Sequence, residues 1–210
     1  VGEDEAHIAH YLATYTIDMM ERFAADGAPF FLWHNFWGPH SPCIAPERWV
    51  DHYKAMAWEP WPSFEAAERD NVAWQTLRIP EESHWSNWER TIPYYFAFTS
   101  FIDEQVGRIL DQLEALGLTD NTLVLFTADH GEYLGTHGGL ANKGRGHYEE
   151  IARIPMIVRA PKALVGDSPR RQGARLNHYA SNVDMYATIA DAAGADISEY
   201  HPHGLSLLEP

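Results

Sequence analysis

The chain has 210 residues and a mass of 23.9 kDa, enough for one domain with a substantial core and marginal for two. Hydrophobic residues make up 45% and charged residues 21%, which is typical of a folded globular domain and not of a disordered chain. The net charge of −15 argues against a general binder of nucleic acid or of anionic membranes. No apolar run is long enough for a membrane helix, and no signal peptide is recognisable.

The first residue and the single cysteine set two further expectations. The chain begins at Val1 and not at a methionine, so we expect it to be part of a longer protein. Cys43 is the only cysteine, which excludes an internal disulfide and a cysteine-based zinc site. A small anionic substrate is compatible with the acidic composition, because one metal ion or a few cations can reverse the sign of the field inside a pocket.

The first half of the chain predicts a helix, a strand and a long irregular segment. Apolar residues recur at helical spacing over 6–25, and Gly27 follows as a stop signal. The continuous apolar run over 30–36 predicts a buried strand. The segment 41–93 is interrupted by prolines and rich in tryptophan, and irregular connections of this length usually have a function or cross a site.

The second half is more regular. A helical stripe runs from Tyr94 to about Gly117, apolar runs over 122–128 and 155–159 predict two strands, and 183–193 returns to helical spacing. Uninterrupted apolar strands alternating with helices indicate an α/β fold with a sheet covered on both faces.

Polar loops follow two of the predicted strands, where active sites form in open α/β sheets. Asp129 and His130 come directly after the strand at 122–128, and a carboxylate with an imidazole suits a divalent cation. The alternative is that Asp129 caps the turn and His130 packs on it. Two ligands do not complete a metal site, so others would have to come from elsewhere.

Three further side chains are candidates for binding or proton transfer. Lys143 lies among glycines, where a compact positive charge suits an anionic oxygen, although a solvated loop lysine is the simpler reading. His40 lies between two prolines that restrict its loop, so it could be a positioned proton donor or merely a packed histidine. His137 is a similar candidate, and its position between Asp129 and Lys143 adds weight.

The tryptophan-rich segment allows two interpretations. Its aromatic side chains could line a pocket for a sugar or an aryl group, or they could anchor a long loop, which is the more common use. The residues concerned are Trp58, Trp61, Trp74, Trp85 and Trp88.

Several segments, taken in order, resemble those of the sulfatase family. Residues 29–32 with 38–42 resemble the family's strand and His-x-Pro loop, and residues 101–110 resemble its long helix. Residues 121–132 are similar to its metal-binding strand and loop. The resemblance continues through 143–144, 148–150, 153–158, 183–186 and 204–208. It covers nearly the whole chain apart from the tryptophan-rich segment.

The resemblance implies an alkaline-phosphatase-like α/β sandwich, with a mostly parallel central sheet flanked by helices, and hydrolysis of a small anionic sulfate ester. By position, Asp129 and His130 would bind one divalent cation, commonly Ca²⁺, with Mn²⁺ or Mg²⁺ as alternatives. Lys143 and His137 would bind the sulfate. His40 would stabilise the sulfate or protonate the leaving group.

Two features of the family are absent from the sequence. The family's nucleophile is a formylglycine made from Cys or Ser within Cys/Ser-x-Pro-x-Arg, and no such motif is present. Cys43 does not substitute, since its proline comes one residue late and it follows the His-x-Pro loop. The paired aspartates that supply other metal ligands are also missing. We therefore expect residues 1–210 to be the second part of a sulfatase catalytic domain, inactive without a missing N-terminal portion.

Two other functions stay open. A single-metal phosphonate or phosphodiester hydrolase of the same superfamily would have similar loops, whereas the Asp-x-x-x-His pair of two-metal relatives is not found here. A non-catalytic chain that binds a glycan or a protein partner would fit the tryptophan-rich segment and the missing nucleophile.

Overall fold

The computed structural model describes residues 4–65, 84–143, 146–166, 173, 175, 177 and 179–208. The chain divides into two compact units. The first unit consists of Val1–Gly117 and Glu132–Gly146, and the second of Leu118–Gly131 and His147–Pro210.

Helix α1, Ile8–Asp26, opens the first unit and confirms the helix predicted over 6–25. The Nδ1 atom of His7 accepts a hydrogen bond from the backbone N–H of Ala9 at 3.0 Å, which satisfies one of the unpaired donors at the helix start. At the other end Gly27 adopts a left-handed conformation with φ 69°, and its N–H bonds to the carbonyl of Phe23.

Helix α2, Glu47–Lys54, and the long helix α3, Trp85–Ala115, complete the helical core of this unit. Both α1 and α2 pack against α3. The core between them contains these buried residues: Ala9, Ala45, Val50, Ala97, Phe98 and Phe101.

The start of α3 differs from the prediction, which placed regular structure from Tyr94 onward. The helix begins nine residues earlier and contains Pro93 in its interior. Proline removes one backbone hydrogen bond there, but Trp88 and Ile92 are buried on the same helix, so apolar packing outweighs the loss. Prolines usually interrupt helices, so their frequency in this part of the sequence did not favour a helix before Tyr94.

The strand predicted over 30–36 is not formed. Within the described part of the chain, this segment pairs with no other strand. Its side chains nevertheless alternate strictly between half-buried and exposed, with Phe31 64% and Trp33 58% exposed. This alternation is typical of a β-strand, but among the described residues the segment has no hydrogen-bonded partner strand.

The second unit contains two strands, β1, Val124–Thr127, and β2, Met156–Arg159. They confirm the strands predicted over 122–128 and 155–159, with shorter bounds. Their pairing is antiparallel, with Val124 opposite Arg159 and Thr127 opposite Met156. The mostly parallel sheet of the prediction is therefore not shown by the described residues.

Helix α4, Asn182–Ala192, confirms the helix predicted over 183–193. It begins with a capping box in which Ser181 accepts from the backbone N–H of Val183 and Asp184 accepts from that of Ser181. Short helical turns occupy Asp4–Ala6, Pro62–Glu65, Thr119–Asn121, Thr136–Gly139, Glu149–Ala152, Lys162–Val165 and Ser198–Tyr200. Among the described residues, no helix has the length and apolar character needed to cross a membrane.

Candidate functional site

The loop after β1 is fixed on both sides of Asp129 and His130, in the second unit. Before it, the side-chain amide of Asn182 donates to the carbonyl of Ala128 at 2.9 Å. After it, the N–H of Gly131 donates to the carbonyl of Ile151 at 2.9 Å. A β-carbon at Gly131 would collide with the carbonyl oxygen of Glu150, so only glycine fits this close approach of two backbones.

Asp129 and His130 carry donor atoms suited to a divalent cation. The Nδ1 atom of His130 lies 2.7 Å from the carbonyl oxygen of Gly131. Because a carbonyl only accepts, Nδ1 is the donor, and the lone pair of the neutral ring is on Nε2. Nε2 lies 3.6 Å from Oδ2 of Asp129, too long for a hydrogen bond but close to the separation of about 3.2–3.6 Å expected for two ligands of one cation. The Asp129 side chain is 87% exposed.

These two residues fit a metal ion but do not enclose one. Over the described residues, no group of three or more histidine, cysteine, aspartate or glutamate side chains is placed so that it could hold a metal ion. The expectation of further ligands from elsewhere stays a prediction. The assignment of Asp129 and His130 as ligands stays a prediction.

The loop over 132–143 lies in the first unit and carries His137 and Lys143. Its backbone is closed by hydrogen bonds from Tyr133 N–H to the carbonyl of Asn142 (3.1 Å) and from Gly135 N–H to that of Leu140 (2.9 Å). Tyr133 and Leu140 are each 1% exposed, so both flanks are anchored in the core. Left-handed φ values occur at Leu134, Gly135, His137, Gly138, Gly139 and Asn142.

His137 and Lys143 occupy different parts of this loop. His137 is half-buried with φ 50°, and its ring meets that of Tyr133 edge-on at a centroid distance of 6.4 Å. Lys143 is exposed at the end of the loop, directly after Asn142. Non-glycine residues adopt positive φ rarely and at a cost, and such strain clusters at functional sites.

His40 also lies in the first unit, on the exposed turn after the 30–36 segment. Its Nδ1 donates to the carbonyl of Ser41 at 2.7 Å, which leaves Nε2 as the nitrogen available for proton transfer. Its ring lies 5.1 Å from the ring of Trp37, an exposed side chain. Gly38, between them, has no room for a side chain because a β-carbon would collide with the Phe98 ring.

Three ionisable side chains that the sequence did not indicate as a group influence one another between the turn at His40 and the loop over 132–143. Burial and the charge of Glu132 raise the pKa of Cys43, three residues beyond His40. Burial, with smaller contributions from Glu132 and Cys43, raises the pKa of Tyr95 to about 12. The start of the 132–143 loop thus lies near the chain that follows His40. Glu132 was visible beside Asp129-His130-Gly131, but no spacing pointed to Tyr95.

Four of the five tryptophans form an anchoring cluster. Trp58, Trp61, Trp85 and Trp88 pack with Phe64 and Ile92, and Leu134 packs against the same cluster. The indole N–H of each of Trp58, Trp61 and Trp85 donates to a backbone carbonyl. This arrangement supports the interpretation of these four residues as loop anchors, while Trp74 lies outside the described residues.

The predicted site residues are thus divided between the units. Asp129 and His130 share one loop of the second unit. His40, His137 and Lys143 belong to the first unit, the last two on a single loop.

Comparison with known proteins places these features in a family. The sulfatase family model matches residues 5–195. The chain is 28% identical to the uncharacterized sulfatase YidJ of Escherichia coli strain K12, over 92% of this chain and 37% of that protein. It is 31% identical to the choline-sulfatase of Rhizobium meliloti strain 1021, over 86% of this chain and 35% of the relative. The chain therefore spans little more than a third of these relatives.

A solved structure shows the fold. The phosphonate monoester hydrolase of Agrobacterium radiobacter matches with a TM-score of 0.71 and 20% identity, over 100% of this chain and 44% of that one. This fold is the alkaline-phosphatase-like fold, of which the described helices and small sheet form part. With a family model matching almost its full length, the chain belongs to the sulfatase family.

Proposed function

We propose that this chain is the second part of a sulfatase catalytic domain and contributes to the metal-assisted hydrolysis of a small, anionic sulfate monoester. The observation that carries the proposal is the family match over residues 5–195, which includes all five candidate residues. The finer fold proposal is that the 30–36 segment, with its strand-like alternation, joins a mostly parallel central sheet in the complete protein.

Asp129 and His130 would hold one divalent cation, most simply Ca²⁺, with Mn²⁺ or Mg²⁺ as alternatives. The carboxylate supplies a hard oxygen, and the tautomer fixed by the Gly131 carbonyl presents Nε2 as the nitrogen ligand. When bound, such an ion neutralises charge on a sulfate oxygen.

The residues of the first unit would bind the sulfate and assist departure of the alcohol. Lys143 and His137 would place positive charge and a hydrogen-bond donor on sulfate oxygens, which gain charge in the transition state. With both of its ring nitrogens protonated, His40 would donate the Nε2 proton to the ester oxygen as the bond from that oxygen to sulfur breaks, so that the alcohol leaves neutral. Water supplies the oxygen that ends on sulfur, giving the free alcohol and hydrogen sulfate.

The nucleophile would come from outside these 210 residues. The sequence contains no Cys/Ser-x-Pro-x-Arg motif, in which the family's formylglycine forms. We accordingly propose that residues 1–210 alone do not turn over a sulfate ester and that the complete protein does.

The metal assignment can be tested in the complete protein with Asp129→Ala. We expect metal content, measured by elemental analysis after dialysis, and aryl sulfatase activity to fall together. The matched control is Asp120→Ala, which removes an exposed carboxylate from the turn Thr119–Asn121 before β1. Unchanged metal content in the Asp129 variant would remove this residue from the ligands.

Hydrolysis of a phosphonate or phosphodiester is the second candidate. It is favoured by the structural match to the phosphonate monoester hydrolase, at a TM-score of 0.71. Rates on an aryl sulfate and a matched aryl phosphonate decide between the two. A complete protein that hydrolyses neither would favour the third possibility, a chain that binds a glycan or a partner without catalysis.

A further inference from the structure

The loop that carries His137 and Lys143 is held by the tryptophan cluster. The indole N–H of Trp61 donates to the carbonyl oxygen of Leu134 at 2.8 Å, across 73 residues of sequence. Both side chains are half-buried, and Leu134 packs against the cluster. Breaking this part-buried hydrogen bond would leave a carbonyl without its partner.

The residue that Trp61 holds is in a costly conformation. Leu134 has φ 46°, a left-handed value that a branched apolar side chain does not prefer. The next residue, Gly135, has φ 88° and lies so close to Trp88 that a β-carbon there would be 2.7 Å from the indole. Two tryptophans therefore contact the two consecutive left-handed residues at which the loop turns.

The rest of the loop depends on that turn. The backbone hydrogen bond from Gly135 N–H to the carbonyl of Leu140, at 2.9 Å, spans His137. The short helix Pro62–Glu65, which begins one residue after Trp61, packs against Thr136–Gly139. A displacement at Leu134 would pass directly into the segment that contains His137.

We propose that Trp61 is a positioning residue, which holds Leu134 in its left-handed conformation and so fixes where His137 and Lys143 meet an anionic ester. The holding role stands on the geometry of the first unit alone. The consequence for substrate binding rests on the proposed function of His137 and Lys143. The cluster of Trp58, Trp61, Trp85 and Trp88 would then support the anion-binding loop.

The cluster offers a matched pair of variants. Trp61→Phe keeps an aromatic ring and removes the N–H that bonds to Leu134. Trp85→Phe makes the same chemical change in the same cluster, but it removes an N–H that donates to the carbonyl of Trp58 at 3.0 Å. Thermal unfolding of both variants of the complete protein checks that each still folds.

Amide hydrogen exchange and steady-state kinetics of the complete protein provide the two measurements. In Trp61→Phe we expect exchange at Gly135 and Leu140 to become about two- to tenfold faster. We expect kcat/KM for an aryl sulfate to fall by a similar factor, because the displaced loop would contact the sulfate oxygens less well in the bound ester and in the transition state. In Trp85→Phe both quantities should stay within about twofold of the wild-type values.

Exchange that is unchanged in Trp61→Phe, or equally faster in both variants, would overturn the holding role. Faster exchange confined to Trp61→Phe, with kcat/KM unaltered, would overturn the role in substrate binding. If wild-type protein hydrolyses no sulfate ester, the proposed function fails instead, and the exchange comparison alone decides whether Trp61 holds the loop.

Discussion

Gly131 lies where two backbone segments of the second unit approach each other closely. A β-carbon there would collide with the carbonyl of Glu150, and both segments are tied by the hydrogen bond between Gly131 and Ile151. In Asp129-His130-Gly131, the third residue is glycine because no side chain fits there. The first two residues carry donor atoms that suit a cation.

Gly131→Ala is expected to lower the free energy of unfolding of the complete protein by about 1–3 kcal/mol, because one backbone segment must move to admit the methyl group. Urea denaturation measures the change. Gly107→Ala is the control, since nothing lies within 4 Å of its added β-carbon in helix α3. That variant should be stabilised by about 0.5–1 kcal/mol. Equal effects of the two substitutions would contradict the steric argument.

Tyr95 makes stability depend on pH at the alkaline end. Burial and the charge of Glu132 raise its pKa from the ordinary 10.0 to about 12, so the folded protein retains the phenolic proton longer than the unfolded chain. The stabilising contribution is therefore fully present below pH 10 and is lost as the pH rises toward 12.

Tyr95→Phe should make the fall in unfolding free energy between pH 10 and 12 shallower than in the wild type, as followed by urea denaturation. Tyr200→Phe, which changes a tyrosine that is 73% exposed, provides the comparison and should leave the slope unaltered. A wild-type slope in the Tyr95 variant would show that its phenol does not titrate differently on folding.

At the scale of elements, the start of α4 connects the helix to the chain beyond it. Asp184 accepts from Ser181 N–H at 2.7 Å with one oxygen and from Leu205 N–H at 2.9 Å with the other. The side-chain oxygen of Ser181 accepts a longer hydrogen bond from Val183 N–H, at 3.3 Å. A single carboxylate therefore closes the capping box and secures the segment after Gly204.

Ser181→Ala is expected to cost about 1 kcal/mol of unfolding free energy, as for other helix N-caps. Asp184→Ala should cost about 2–3 kcal/mol, because it removes two bonds to a charged acceptor. Hydrogen exchange at Leu205 should accelerate only in the Asp184 variant. Equal costs, or an unchanged Leu205 amide, would refute the double role of Asp184.

The sequence predicted correctly the features that depend on neighbouring residues, and it missed features that depend on contacts between distant parts of the chain. Helix α1 and its stop at Gly27 were predictable because period and capping are local signals. The strand over 30–36 was predicted from its apolar run and is not formed, because a strand also needs a paired neighbour. The early start of α3 depends on the packing of Trp88 in the core. The sequence did not indicate this packing, because the nearby prolines favour irregular structure.

The site shows the same limit. Asp129 and His130 stand side by side in the sequence, and their loop could be anticipated. The bond between Trp61 and Leu134 joins residues 73 positions apart, and the proximity of Glu132 to Tyr95 joins different elements. Neither has a periodic or motif signature, so only the folded chain reveals them.

At the scale of the whole molecule, the net charge of −15 opposes the binding of an anion, so any cationic group at the site matters for binding an anionic ester. An acidic chain holds an anionic ester only where local positive charge reverses the field. Lys143 and the divalent cation proposed at Asp129 and His130 would provide that charge. Because the chain spans 37% of YidJ and 35% of the choline-sulfatase, turnover is a property to be measured on the complete protein.

The most direct test compares the hydrolysis of an aryl sulfate by the complete protein, by its Lys143→Ala variant and by residues 1–210 alone. We predict metal-dependent turnover by the complete protein, a loss of about 10²–10³-fold in kcat for Lys143→Ala, and no turnover by the 210-residue chain. Absence of sulfate release by the complete, metal-loaded protein, or turnover by residues 1–210 that Lys143→Ala abolishes, would contradict the account.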